Sequence, residues 1–323
     1  MRLLEVDNLT TYYKLKDGYV RACENISLHL ERGEAIGLVG ESASGKTTAA
    51  LSLIKLLPDN AHVMAGSIKI EGRDIAGATE EELRHIRWKD IAIIFQGAMN
   101  ALNPVRRVGD QIVEALRIHE KLSEKDAGRR TAELFEQVEI DSDRVREYPH
   151  EFSGGMRQRV MIAMAIACNP KIIIGDEPTT ALDVMVQAQV LQLLETLRRE
   201  REMGMILITH DLSVVGETCD RVAVMYAGQI VEDGPTEKVF EAPSHPYTRA
   251  LITAFPNIEG ERYLAASIPG DPPNLLSPPG GCRFHERCSE VSELCRNEAP
   301  EITDLSPGHR AMCHLLQRKV KVK

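Results

Sequence analysis

The sequence has no apolar run long enough to cross a bilayer. Its longest, such as Val160–Cys168 and Ile172–Ile174, fall far short of the roughly 18 residues a span needs. The opening Met1-Arg2-Leu3-Leu4-Glu5-Val6-Asp7 has no apolar core followed by a small-residue cleavage site, so no secretory signal is expected. A basic surface is also missing. Lys and Arg number 39 against 48 Asp and Glu, a net charge of −9, which disfavours nucleic acid as a partner. The basic tail Arg318–Lys323 is too short to change that and reads as a solvated terminus. There is no internal repeat, no low-complexity tract and no long heptad stretch. Seven cysteines are present, but none form the paired C-x₂-C knuckles of a zinc ribbon. What remains is ordinary for a folded soluble chain: 323 residues, 43% hydrophobic and 27% charged, enough for a large core and one to three domains.

Hydrophobic periodicity divides the chain. Leu3–Val6 and Ile26–Leu30 read as strands with one wet face. Ala35–Val39 is an apolar strand, and Thr47–Leu57 a helix stopped by Pro58. Ser67–Ile70 and Ile91–Phe95 read as further strands. From about Gly97 to Ala167 the pattern is helical, clearest in Gln111–His119 and Asp126–Val138. Lys171–Gly175 and Met205–Thr209 are short continuous apolar runs, as in strands covered on both faces. Val184–Glu202 separates them as a helix, and Ala227-Gly228 marks a hairpin between Arg221–Tyr226 and Gln229–Glu232. After about Val239 prolines crowd an irregular appendage, among them Pro243, Pro256, Pro269 and Pro278. The predicted class is α/β, with a mostly parallel core sheet, an antiparallel N-terminal piece and a helical insert.

Two phosphate-binding elements lie about a hundred residues apart. Gly40-Glu41-Ser42-Ala43-Ser44-Gly45-Lys46-Thr47 fits G-x-x-x-x-G-K-[ST] between a strand and a helix. In such a loop backbone N–H groups wrap the β-phosphate, Lys46 bridges β and γ oxygens, and Thr47 offers its hydroxyl to Mg²⁺. Ser153-Gly154-Gly155 opens a second helix, on which Met156, Val160, Ala163, Met164 and Ala167 recur at helical spacing. Free N–H groups and the helix dipole make such a start an anion site.

Chemistry-bearing side chains cluster at predicted strand ends, where α/β sheets gather ligands. Asp176 is a candidate Mg²⁺ ligand and Glu177 a candidate to polarise the attacking water. His210, in Thr209-His210-Asp211, is placed to contact a γ-phosphate. Gln96 ends the strand Ile91–Phe95 and can reach Mg²⁺ or the water through its amide. His29, His62, His85 and His119 carry no such placement and read as structural. Ala181-Leu182-Asp183 suits a dimer contact.

The ordered set of phosphate loop, Gln96, Ser153-Gly154-Gly155, Asp176-Glu177, Ala181-Leu182-Asp183 and His210 resembles the ATP-binding subunit of ABC transporters, over about residues 1–255. The resemblance implies a P-loop NTPase core at 1–96 and 168–240, a helical signature subdomain at 97–167 and an appendage at 241–323. It implies that two subunits pair head to tail, so that Ser153 and Gly155 meet the ATP held by the partner's phosphate loop. On the chain's own side it places nucleotide contacts at Gly40, Ser42, Gly45, Lys46, Thr47 and Thr48. An aromatic residue stacked on adenine is also implied, with Tyr13 the best match and Tyr12 the alternative.

Further segments look like the oligopeptide/dipeptide importer subfamily: Met99-Asn100-Ala101-Leu102-Asn103-Pro104, Tyr148–Arg159, Ser244-His245-Pro246-Tyr247-Thr248 and Ile268–Leu276. That likeness implies an importer with an extracellular binding protein, two membrane permeases and a pair of ATPase subunits on the cytoplasmic face, commonly two related chains. The same likeness extends to importers of nickel chelates and oligosaccharides. Met99 and Leu102 suit a surface that receives a permease. Two departures stand out. Ala43 replaces the usual glycine, at little cost if its φ stays negative. Gly97-Ala98 replaces Asp-Pro, which is expected to loosen the hinge into the helical insert.

Cys23, Cys168 and Cys219 sit in apolar sequence and read as reduced packing residues. Cys282, Cys288, Cys295 and Cys313 are spaced C-x₅-C-x₆-C-x₁₇-C. Four thiolates suit a [4Fe–4S] cluster, which the subfamily resemblance also implies. Zinc, completed by His285, His309 or His314, stays open, as do disulfides and free thiols. A link from Cys282 to Cys313 would close a loop of about 30 residues, worth roughly 3–4 kcal/mol if disulfide arithmetic transfers.

Overall fold

A computed structural model describes residues 2–97, 101–180, 182–254 and 268–320. Ala98, Met99, Asn100, Ala181, Pro256 and the end of the basic tail, all used above, lie outside the described residues.

The chain opens with β1 (Arg2–Leu15), β2 (Gly18–Glu31) and β3 (Ala35–Val39), then α1 (Lys46–Leu53), β4 (Ala61–Ile70), β5 (Arg73–Asp74), α2 (Glu80–Ile86) and β6 (Ile91–Ile94). Three helices follow: α3 (Val108–His119), α4 (Glu124–Gln137) and α5 (Gly154–Ile166). Next come β7 (Ile172–Asp176), α6 (Val184–Arg201), β8 (Gly204–Ile208), α7 (Leu212–Thr218), β9 (Arg221–Tyr226) and β10 (Gln229–Pro235). The C-terminal part holds α8 (Thr236–Glu241), α9 (Pro246–Ala254), α10 (Glu293–Asn297), β11 (Ile302–Ser306), β12 (His309–Met312) and α11 (His314–Val320).

Two compact units emerge. The first gathers residues 1–4, 30–35 and 69–208. Its strands β6, β7 and β8 pair in parallel, with Ile91 opposite Ile172 and Ile172 opposite Gly204. All five residues of β7 and of β8 are buried, as their unbroken apolar runs require. The α3–α5 region has its own core of Val108, Ile112, Leu116, Leu134 and Phe135, and the Phe135 ring meets Phe152 edge-on at 6.5 Å. Leu102, expected on the surface that meets a permease, is instead 4% exposed; Val105, at 80%, is the exposed apolar residue of that stretch. Gly97 takes φ +67°, which glycine adopts without penalty.

The second unit gathers residues 5–29, 36–68 and 209–323. Here β3 pairs in parallel with β9, and β9 with β10 antiparallel. The β9–β10 turn is Ala227-Gly228, at φ 47° and 84°, the left-handed pair that suits the twist of a two-residue hairpin. In the antiparallel N-terminal piece β1 and β2 are far longer than the apolar stretches at their ends suggested, and the turn Lys16-Asp17 joins them.

The appendage is more ordered than its prolines suggested. Residues 268–292 do lack long elements, but β11 and β12 form a hairpin whose β12 continues the sheet from β10, with Glu232 opposite Ala311 and Asp233 opposite Arg310. The reason is charge. Asp233 is 2% exposed and accepts from Arg221 at 2.6 Å and Arg310 at 3.0 Å, so the strand edge carries a buried carboxylate that only a second arginine completes.

Candidate functional site

In the second unit β3 delivers the chain into Gly40–Thr47, and α1 begins at Lys46. Gly45 caps α1 at φ 105°, and a Cβ there would lie 2.3 Å from the Ala22 carbonyl oxygen, so no other residue fits. Ala43, expected at negative φ, sits at φ 63°. That corrects the expectation: the alanine is held in the left-handed region, at a cost on the order of 1–2 kcal/mol. Lys46 is 7% exposed, and its Nζ donates to the carbonyls of Gly40 at 2.7 Å and Glu41 at 2.9 Å. The ammonium is thus folded over the loop whose N–H groups would receive phosphate. Ser42 and Thr47 are exposed beside it. The Tyr13 hydroxyl lies 3.2 Å from Thr48 Oγ1, whereas Tyr12 donates to Glu24 at 2.6 Å.

The loop is held from outside by the appendage. Tyr247, fully buried, accepts the Glu41 N–H at 2.9 Å. Arg287 donates from both terminal nitrogens to the two Glu41 carboxylate oxygens, at 2.7 and 2.9 Å. These bonds hold its guanidinium still more firmly protonated than usual. The Ser244–Tyr247 motif now has a physical reason. Glu232, 1% exposed, accepts the N–H groups of Ser244 at 2.8 Å and His245 at 2.9 Å and bonds His309 Nε2 at 2.9 Å. His245 Nδ1 accepts from the Tyr247 N–H at 3.0 Å. That turn aims the Tyr247 hydroxyl at the phosphate loop. None of Glu41, Glu232 or Arg287 was singled out from sequence.

His210 is exposed, one residue before Asp211, which caps α7 by accepting from Ser213 N–H at 3.0 Å.

In the first unit β7 ends in buried Asp176 and then Glu177. Glu177 takes φ 48°, an uncommon conformation for a long side chain, of the kind found at functional sites. Its Oε2 accepts from Gln96 Nε2 at 2.8 Å and from Thr180 Oγ1 at 2.9 Å. Gln96 and Glu177, picked separately from sequence, are therefore brought together. Thr180 was missed, although its position three residues after the carboxylate in a Pro-Thr-Thr turn was a usable signal.

Ser153 is exposed and caps α5, its Oγ accepting from the Met156 N–H at 3.3 Å. No acidic residue occupies the first turn of α5, so the positive end of the dipole is unopposed. A Cβ on Gly155 would stand 2.5 Å from Val186 Cγ1, so the glycine lets α5 and α6 approach. Asp183, in turn, caps α6 by accepting from the Val186 N–H at 3.0 Å.

Cys23, Cys168 and Cys219 are buried free thiols, and burial pushes Cys23 up to about 12 and Cys168 up to about 11. That fits inert packing residues. Cys282, Cys288, Cys295 and Cys313 are also free thiols in this structure. Burial pushes Cys282 up to about 12, with Cys295, Cys313 and Cys288 acting in the same direction. Yet among the described residues no three His, Cys, Asp or Glu side chains are placed to hold a metal ion. The expected cluster thus finds no formed donor set among the described residues.

A family described as ABC transporter matches residues 23–180, and one described as oligopeptide/dipeptide transporter, C-terminal region, matches residues 231–295. The oligopeptide transport ATP-binding protein OppD of Salmonella typhimurium is 46% identical over 313 residues, 96% of this chain and 93% of that protein. The dipeptide transport ATP-binding protein DppD of Escherichia coli is 42% identical over 316 residues, covering 97% of both chains. Among solved structures, the ATP-binding cassette MJ0796 bound to ADP and phosphate matches with a TM-score of 0.65 at 28% identity, over 72% of this chain and 98% of that one.

Proposed function

The chain belongs to the ABC transporter family as an ATP-binding subunit of the oligopeptide/dipeptide importer type, and we propose that it powers peptide uptake by hydrolysis at Glu177. It is an ATPase, and its substrate is ATP with Mg²⁺. The observation that carries the assignment is the setting of the Glu177 carboxylate. Gln96 and Thr180 both donate to one oxygen, which holds the carboxylate in a fixed direction, as a positioned base requires.

Roles follow for the remaining groups. Lys46 and the N–H groups of Gly40–Thr47 take the phosphates, with Ser42, Gly45 and Thr48 around them. Thr47 would offer Mg²⁺ its hydroxyl; Asp176, with its carboxylate, and Gln96, with its amide oxygen, are the other residues that would hold it. His210 meets the γ-phosphate. Tyr13 stacks on adenine, because its hydroxyl lies beside Thr48 next to the loop, while that of Tyr12 is committed to Glu24. Ser153 and Gly155 serve the ATP of a second ATPase subunit, which makes each chain half of two sites. The helical region 97–167 and two permeases complete the coupling, with peptide delivered by an extracellular binding protein. The subunit works on the cytoplasmic face of the membrane; no helix among the described residues is long and apolar enough to cross one. The four late cysteines would hold a metal centre, iron–sulfur in preference to zinc. Support comes from their number and from their place together in one appendage, Cys282, Cys288, Cys295 and Cys313. Its role is to hold the appendage.

The test is Glu177→Gln in the assembled transporter. Hydrolysis falls on the order of 10²–10⁴-fold, the contribution of a positioned base, while ATP stays bound. A variant that turns over at the parent rate removes Glu177 from the mechanism.

A further inference from the structure

Nothing in a phosphate loop requires help from a residue 246 positions away, yet Arg287 is built around Glu41. All three of its guanidinium nitrogens are used. Nε donates to the Pro269 carbonyl at 2.9 Å. One terminal nitrogen reaches Glu41 at 2.7 Å and the Tyr226 hydroxyl at 3.3 Å. The other reaches Glu41 at 2.9 Å and the Ile268 carbonyl at 3.2 Å. The Arg287 side chain is 3% exposed, so its stem is gripped as firmly as its head. The ring of Tyr226 lies 5.7 Å from the guanidinium carbon, and Tyr226, Tyr247 and Phe284 pack with centroids 4.5 to 5.3 Å apart.

Glu41 therefore has three separate attachments. Its N–H goes to Tyr247, its carboxylate to Arg287, and its carbonyl oxygen to Lys46 Nζ. The last contact matters most. Glu41 is the first variable residue of the loop and shares a bond with the lysine that must meet the phosphates. An uncompensated carboxylate there would oppose a polyphosphate and compete for that lysine. A bidentate arginine cancels the charge and fixes its direction.

We infer that Arg287 is a positioning residue of the ATP site, holding and neutralising Glu41 so that the C-terminal appendage sets the affinity of the phosphate loop for nucleotide. The inference deepens the proposed function and rests on the reading of Gly40–Thr47 as the ATP loop. Arg283, four residues earlier, makes the same kind of link to Glu24 and the Ala227 carbonyl. Glu24 in turn accepts from Tyr12. One seven-residue segment, Cys282–Cys288, thus fastens to the phosphate loop and to β2, whose Glu24 is bonded to Tyr12 of β1.

The experiment uses the full chain titrated with methylanthraniloyl-ATP and Mg²⁺, with thermal melting alongside. Arg287→Gln raises Kd about tenfold, because the carboxylate is left charged and loose. Adding Glu41→Gln to that variant restores Kd to within about threefold of the parent, since the repulsion is gone. A strap that only supports the fold gives no such rescue: the double variant then binds as weakly as the single one or worse, and the inference fails. It also fails if Arg287→Gln stays within about twofold of the parent, a change smaller than RT. Should Arg287→Gln not fold, Arg287→Lys decides. It keeps the charge and loses the fork, so an intermediate Kd supports the inference and an unchanged one overturns it. Lys46→Ala separates the two levels. If that variant binds nucleotide like the parent, the reading of the loop is wrong; if it loses binding while Arg287→Gln does not, only the role of Arg287 is wrong.

Discussion

Lowering the pH from 7 to 5.5 is predicted to destabilise the chain through His245. Its imidazole is 1% exposed, and Nδ1 accepts the Tyr247 N–H at 3.0 Å, a bond that a protonated Nδ1 cannot accept. Burial, helped by Arg249, pulls its pKa down to about 3 from the usual 6.5. In the unfolded chain the same ring takes up a proton near pH 6.5, so between about 6.5 and 3 the unfolded state binds more protons than the folded one. Stability therefore rises with pH in that window and is lost as pH falls through it. Worked from those two values, the loss is about 0.2 kcal/mol at pH 7 and about 1.4 kcal/mol at pH 5.5, a difference of about 1.2 kcal/mol. The assay is denaturant unfolding at both pH values for the parent and for His245→Asn. Asparagine can accept from the same N–H two residues on, but it does not titrate. The variant should lose about 1.2 kcal/mol less than the parent over this range. Equal losses would refute the reasoning and move the pH dependence elsewhere. A functional echo is also expected. Because the His245 turn aims Tyr247 at Glu41, nucleotide affinity of the parent should weaken over the same range and that of the variant less.

The remaining predictions concern the second phosphate element and the cysteines. Gly155→Ala forces Val186 Cγ1 to move from the 2.5 Å a new Cβ would impose; Val186 is only half-buried and can turn, so the stability cost is at the low end of overpacking, about 1 kcal/mol. Adding Val186→Ala should recover that stability, but not the ATPase activity if Gly155 faces a second subunit's ATP. Recovery of both would make Gly155 a packing residue only. Anaerobic purification followed by iron and acid-labile sulfide analysis should find both, and Cys282→Ser should lower them together with the melting temperature; zinc without iron would end the cluster reading.

The phosphate loop, the Ser153 cap, and the Asp176 and Glu177 strand end were legible because each is local. A glycine with a fixed φ, a helix start or a strand terminus is set by a handful of consecutive residues, and its chemistry follows from their types. The length of β1 and β2 and the β11–β12 hairpin were not legible, because neighbours elsewhere in the chain complete them. Asp233 needs both Arg221 and Arg310, and no window of sequence contains the three. Ala43 shows a subtler limit. Its residue type argued for negative φ, yet the loop imposes φ 63°. Loop closure outweighs the preference of one alanine.

The sequence by itself determined that the chain is an ATPase of this family, since the residues that mark the family come in short ordered motifs. Tertiary structure alone decided what governs those groups. It brought Gln96 to Glu177, tied Tyr12 to Glu24, and set Tyr247 and Arg287 on Glu41. These are pairings of charge and hydrogen-bond geometry between distant segments, and a linear pattern carries no record of which carboxylate a given arginine will meet.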